Sequence, residues 1–366
     1  MTQRTTLAAL WHSITLFAIS LAFLACSDGN VDDPNPEVIK GNSSLLLNFT
    51  SDYETGELRW MTDADSTSLS PGKLSFGQDS KVFASGENIF VLERTDRDNL
   101  SCMQANKFGV IQNALEQGAN AYEVAVTGNK GYIVFNGADY VQTFNVNTCI
   151  LGEKIMLPVT QANASSIKIS GDTLLVLSQR LDGYTATKPG LLIRINTGTK
   201  ALIDTIPLKF YNPHSAVLSD GKLYVSSQGA YNPDFSINTE VSGVEAVDLK
   251  TGTSEIIASG TDLGGGSSDI ALDEENQVLY ASIYISWGDN PVKPVDLKTK
   301  KVGSALQNIK EAGGGLVFDK ETGKLFVGDR AEGQGLKIYN TIAKTTILAN
   351  GGDPLLPPYS LAIARW

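Results

Sequence analysis

The sequence predicts an all-β chain folded as a seven-bladed β-propeller, with the last blade closed by strands from both termini. Three observations carry this expectation. An apolar strand recurs six times, a polar turn recurs every 44 to 52 residues, and unpaired half-units stand at the two ends. No long window shows the 3.6-residue apolar period that helical repeats require.

The recurring strand reads Asn88-Ile89-Phe90-Val91-Leu92-Glu93, Gly131-Tyr132-Ile133-Val134-Phe135-Asn136 and Thr173-Leu174-Leu175-Val176-Leu177-Ser178 in its first three copies. It returns as Lys222-Leu223-Tyr224-Val225-Ser226, Val278-Leu279-Tyr280-Ala281-Ser282 and Lys324-Leu325-Phe326-Val327-Gly328. Most copies follow a short turn rich in Gly, Asn or Asp, such as Ser170-Gly171-Asp172. That is hairpin chemistry, because these residues tolerate positive φ. The next strand ends in a second turn anchored by Asn145, Asn196, Asp248, Asp296 and Asn340, spaced 51, 52, 48 and 44 residues apart. This period fits four-stranded propeller blades.

Six complete units begin near Ser80, Ala121, Ser165, Pro213, Ser268 and Gly314. At the C-terminus, residues 359–364 form a first strand with nothing after it. Residues 44–49 and 56–61 are second- and third-type strands with no first strand before them. One blade built from both ends closes the ring and removes exposed sheet edges.

The Val247-Asp248-Leu249-Lys250-Thr251-Gly252 turn, following a Leu223-Tyr224-Val225 strand, resembles the YVTN/YncE-like seven-bladed propellers over residues 43–366. The Tyr-Val-Thr-Asn tetrapeptide itself is absent, and Leu223-Tyr224-Val225-Ser226-Ser227 is the nearest copy. The resemblance implies a fold and leaves the activity open, because propellers host unrelated functions.

The N-terminus predicts export. Arg4 precedes an uncharged stretch from residue 7 to residue 25, and the apolar run 14–24 has the length of a signal-peptide core, too short to span a bilayer. Phe23-Leu24-Ala25-Cys26 resembles a lipobox, which implies a signal peptide over residues 1–25 and lipidation of Cys26; the alternative is an ordinary cleaved signal with Cys26 as a bystander. Residues 26–42 are acidic, rich in turn formers and without apolar periodicity, and so read as a flexible tether. A Cys26-Ser27-Asp28 start followed by further acids resembles lipoproteins of the Bacteroidetes. That implies a lipid-anchored protein of the cell envelope at the outer membrane, periplasmic or surface-exposed, touching the membrane through its anchor only.

Charge narrows the partners. The chain carries −11 in total; residues 1–26 carry +1 and residues 27–40 carry −3, leaving −9 on the propeller. Such a surface repels phosphate backbones, which argues against nucleic acid. A small-molecule ligand or an envelope protein is the expected partner, bound by a monomeric domain.

The loops joining second to third strands are long and chemically rich, whereas the first-to-second turns are short. Long loops on one face of a rigid scaffold suit recognition. Candidate ligand-binding residues are Arg94, Arg180, Tyr184, Gln228, Tyr231, Trp287, Asp329 and Arg330 from these loops, and His214 from a blade-to-blade loop. Against this stands a packing reading, in which the aromatics brace neighbouring blades and the arginines pair with local acids. The glycine runs 264–266 and 313–315 are followed by no GK[ST] and no helix, so close backbone approach near the axis is their expected role.

Much chemistry is excluded. His12 leaves with the signal peptide, so His214 alone is available for a histidine metal site or a Ser-His-acid triad. No GxSxG or HExxH motif occurs, and Asp273-Glu274-Glu275-Asn276 reads as a solvated turn rather than a calcium loop. No catalytic residue, metal or cofactor is assigned. Cys102 and Cys149 fall in adjacent units, where a disulfide and two separate buried thiols both suit the sequence. The favoured expectation is a ligand- or partner-binding propeller rather than an enzyme, feeding an outer-membrane transporter. Bacteroidetes lipoproteins of this appearance include propellers that bind cobalamin, which makes a corrinoid one ligand class to test. The alternatives are a propeller hydrolase or lactonase with an axial metal, for which Asp269 and Asn120 are the near-axial candidates, and a scaffold in an envelope complex.

Overall fold

A computed structural model describes residues 43–50, 55–61, 69, 73–94, 97–105, 107, 109–349 and 357–366. The signal peptide, Cys26 and the tether to residue 42 lie outside the described residues. The strands form seven antiparallel blades. Blades 1 to 6 take residues 80–114, 121–156, 164–211, 213–259, 266–296 and 316–348. In blade 7 the C-terminal strand Pro358–Arg365 is innermost, followed outward by Ser43–Thr50, Thr55–Met61 and Leu74–Gly77. The two chain ends therefore share one sheet, in register from Ser43 opposite Arg365 to Asn48 opposite Ser360. Blade 5 is reduced: its fourth strand survives only as a bridge between Val295 and Val302.

The second strands explain the ring. In blades 1 to 6 they are buried from their second residue onward, on both faces, save Tyr284 at the end of the blade 5 strand. Side chains alternate across a strand, so a strand buried on both faces reads as a near-continuous apolar run, broken here only near its end by residues such as Glu93, Ser178 and Ser226. Ile89 and Val91 pack with Leu46 and Trp60 of blade 7, while Phe90 and Leu92 pack with Ile133 and Phe135 of blade 2. Leu174 and Val176 face blade 2, and Leu175 and Leu177 face blade 4. The described residues form seven such clusters, one for each seam between blades.

The recurring third-strand turn has one mechanism in five blades. The side-chain oxygens of Asn145, Asn196, Asp248, Asp296 and Asn340 each accept from the backbone N–H groups two and three residues on, at 2.8 to 3.1 Å. The turn closes on a left-handed residue, which is Gly252 in blade 4 and Lys200, Lys300 or Lys344 elsewhere. In blade 2 that residue is Cys149, which is disulfide-bonded to Cys102 of blade 1 across a Cα–Cα distance of 5.9 Å. Glycines bring backbones together where blades meet. A Cβ on Gly266 would stand 2.3 Å from the Gln228 carbonyl oxygen, and one on Gly314 2.5 Å from that of Pro358.

Phe326 is fully buried in the seam between blades 6 and 7. Phe326→Ala should lower stability by about 3–5 kcal/mol in urea unfolding, whereas Ile342→Ala on the surface should stay within about 0.5 kcal/mol. The Cys102–Cys149 bridge closes a loop of 47 residues. Its reduction should cost about 2–4 kcal/mol, read as a lower melting temperature in phosphine reductant.

Candidate functional site

Each inner strand starts at the face that carries the long second-to-third loops. Asn120, Asn163 and Asn212 immediately precede the inner strands of blades 2, 3 and 4, with φ of 54°, 45° and 54°. Asn accepts this left-handed conformation more readily than most residues. Just beyond it the ladder slips. Pairing jumps from Ala121 to Glu123, from Ala164 to Ser166 and from Pro213 to Ser215, so Tyr122, Ser165 and His214 have no partner across the strand. Blade 7 likewise skips Tyr359, and blade 5 skips Ser268 and Asp269. Such a bulge re-aims a side chain. Here every bulged residue lines one cavity of about 750 Å³, walled by the inner strands of all seven blades. That volume suits a drug-sized ligand.

At the mouth, Arg94 enters from the end of the second strand of blade 1. Its Nη1 stands 3.3 Å from Asp79 and 3.4 Å from the Tyr359 hydroxyl, and its Nε donates to Asn120 at 3.2 Å. The Tyr359 hydroxyl donates to Asp79. The Tyr122 ring is flanked by two cations, with Lys81 Nζ 4.1 Å and Arg94 Cζ 4.4 Å from its centre. The Tyr122 hydroxyl and His214 Nε2 are hydrogen-bonded at 3.1 Å. Asp269 accepts from the Ser215 hydroxyl at 2.7 Å and from the Ile270 and Leu316 N–H groups at 2.9 and 3.0 Å. Glu123 pairs with Lys168 and accepts from the Ile167 N–H.

Removal from water dominates the electrostatics. Burial, reinforced by the charges of Lys81 and Arg94, pushes the His214 imidazole down to about 4. Burial and then Arg94 push the Lys81 ammonium down to about 7. Burial raises the Tyr122 and Tyr359 phenols. The site therefore pairs a neutral imidazole with a neutral phenol beside the Arg94 guanidinium and a Lys81 amine that titrates near 7. That set can hold a polar organic ligand and exchange protons with it.

Of the residues the loops predicted, the structure brings Arg94 and His214 together at this cavity. Arg330 borders it, donating to the Pro358 carbonyl at 2.8 Å, with its guanidinium 5.3 Å from the Tyr359 ring centre. Arg180 donates instead to the Pro189 carbonyl of its own blade at 3.2 Å. Asp329 is fully buried and accepts from the N–H groups of Lys310, Glu311 and Ala331, pinning the loop. Gln228 stands 3.4 Å from the Tyr231 hydroxyl, and the Tyr231 ring meets Tyr284 edge-on at 6.5 Å. Tyr184 and Trp287 lie outside the cavity at loop tips, 96% and 86% exposed, as does Phe235 at 82%. Of the near-axial candidates, Asp269 lines the cavity and Asn120 anchors Arg94.

The loop-based reasoning missed Lys81, Tyr122, Tyr359 and Asp79. A signal for two of them was present. Aligning the units on Asn120, Asn163 and Asn212 puts Tyr122, Ser165 and His214 at one position, and Pro358-Tyr359-Ser360 matches Pro213-His214-Ser215. Among the described residues, no three His, Cys, Asp or Glu side chains are grouped to hold a metal ion.

No family model and no curated protein matches the sequence. Solved structures do. A putative 6-phosphogluconolactonase from Bacteroides fragilis is 12% identical with a TM-score of 0.59, over 90% of this chain and 100% of that one. Apo AztD from Citrobacter koseri is 11% identical with a TM-score of 0.55, over 88% and 98%. Hydrazine synthase from Kuenenia stuttgartiensis is 18% identical with a TM-score of 0.54, over 71% and 76%. At these identities the likeness shows the propeller fold alone.

The His214 imidazole predicts an acid response. With its folded value near 4 and its free value near 6.5, the unfolded chain binds the extra proton first as pH falls. Its contribution is complete above pH 6.5 and is lost as pH drops towards 4. Thermal melts across this window should show a shallower decline for His214→Gln than for the wild type; parallel curves would refute the assignment.

Proposed function

We propose that the chain is a ligand-capture propeller of the cell envelope, YVTN/YncE-like and lipid-anchored through Cys26, which holds a small organic molecule at the long-loop end of its axial cavity. The observation that carries this reading is convergence. Five blades use strand bulges to aim Tyr122, Ser165, His214, Ser268, Asp269 and Tyr359 into one space, where Arg94 and Lys81 join them. A fold that needed only to pack would fill this axis with apolar side chains.

Capture is favoured over axial-metal hydrolysis because the nearby carboxylates are already engaged. Asp79 is taken by Arg94 and Tyr359, Glu123 by Lys168, and Asp269 by a hydroxyl and two amides. A corrinoid, large and amphipathic, would need the aromatic loop tips as well as the polar axis. Exposed Tyr184, Phe235 and Trp287 on blades 3, 4 and 5 offer such a ligand, or a transporter partner in the outer membrane, a second contact surface.

A thermal-shift screen of small organic molecules on the purified chain tests the reading, since a ligand that binds only the folded state raises the melting temperature. For any hit, Tyr122→Ala and His214→Ala should each weaken binding about tenfold or more, the loss of roughly one good polar contact. Tyr184→Ala should leave it within about twofold. Hits indifferent to Tyr122 and His214 would move the site away from the axis.

A further inference from the structure

Four cationic side chains line the axial cavity: Lys81, Arg94, Lys168 and Arg365. Three have anionic partners, Arg94 with Asp79, Lys168 with Glu123, and Arg365 with Asp319 and Glu321. Lys81 differs. Its ammonium rests against the Tyr122 ring and makes no direct ion pair or hydrogen bond among the described residues, although Asp79, Glu123 and Asp269 lie within electrostatic reach. A half-buried ammonium without a direct acceptor costs stability, and groups of this kind persist where a ligand completes them. The unmet demand at the mouth is thus for a direct acceptor on the Lys81 ammonium, and a carboxylate is the acceptor that also pairs its charge. Further down the channel from Lys81 the wall carries Phe83, Val124, Val217, Phe318 and Leu361, alongside the ion-paired Lys168 and Arg365.

We propose that the cavity takes a monoanionic carboxylate on a hydrophobic body, with the carboxylate on Lys81 and the Tyr122 face and the body directed down the channel. This rests on the ligand-capture reading above. A dianion such as a phosphate monoester fits less well, because one ammonium is unpaired while Glu123 and Asp269 add negative charge to the same wall. The groups facing Lys81 are Arg94 and Asp79 from blade 1, Tyr122 and Glu123 from blade 2, His214 from blade 4, Asp269 from blade 5 and Tyr359 from blade 7. His214, near 4, and the two raised phenols keep their charge state between pH 6 and 8.5. Lys81, near 7, does not, so carboxylate affinity falls as pH rises through that window.

Calorimetric titration of the full chain with benzoate, benzamide and benzylamine tests the class. Benzoate should bind at least about tenfold tighter than benzamide, with benzylamine weakest, and should weaken roughly 30-fold from pH 6 to 8.5 as the amine loses its proton. Lys81→Met should abolish both the preference and the pH dependence, and Lys81→Arg should keep the preference without the pH dependence. Equal binding of all three probes, unchanged in Lys81→Met but lost in Tyr122→Ala, would overturn the carboxylate class and leave the pocket reading standing. Absence of binding by all three would also overturn it, and the small-molecule screen then decides the capture reading on its own.

Discussion

Burial of the second strand on both faces is the constraint from which the architecture follows, because a strand sandwiched in this way cannot be satisfied by its own sheet. Ile89 and Val91 need one neighbour, and Phe90 and Leu92 need another. Each blade is therefore incomplete alone, and a row of blades would leave two apolar faces in water. Closing the row removes both. The strand that performs the closure, Ser43–Thr50, is itself a second strand: Leu46 faces blade 1, while Leu45, Leu47 and Phe49 face blade 6. The chain ends meet because these side chains require partners on either side.

A ring held at its seams frees its axis. The inner strands contribute less to the seams, so a bulge near their start costs little packing while it redirects a side chain. The same slip occurs in successive blades with different outcomes: a phenol at Tyr122, a hydroxyl at Ser165, an imidazole at His214 and another phenol at Tyr359. Repetition supplies the geometry, and divergence at one position per blade supplies the chemistry. The disulfide reinforces this division, since Cys102 and Cys149 tie together the two blades that carry Lys81, Arg94 and Tyr122.

The fold was legible in the sequence because its signals are local. Apolar runs such as residues 174–177 and Asx turns such as Asn196-Thr197-Gly198 follow from neighbouring residues alone, and their spacing counts the blades. The half-units at the ends were equally readable. The site was only partly so. Loop length pointed to the face on which the inner strands bulge, and Arg94 and His214 do reach the cavity. Trp287 and Tyr184 have the same composition and lie at the periphery, because sequence does not say whether a loop residue leans towards the axis or away from it. Asp329 looked like a recognition acid, but three backbone amides converge on it from residues up to 19 positions away. Lys81 gave no sign, since an ammonium on an inner strand is remarkable only once its surroundings are known.

The shared sheet also fixes the face on which the first described strand begins. Ser43 lies opposite Arg365, whose N–H donates to the carbonyl of Gly86 in a short first-to-second turn. The first described strand thus begins on the side remote from Tyr122 and Lys81, so its start and the bulged ends of the inner strands lie on opposite faces of the ring.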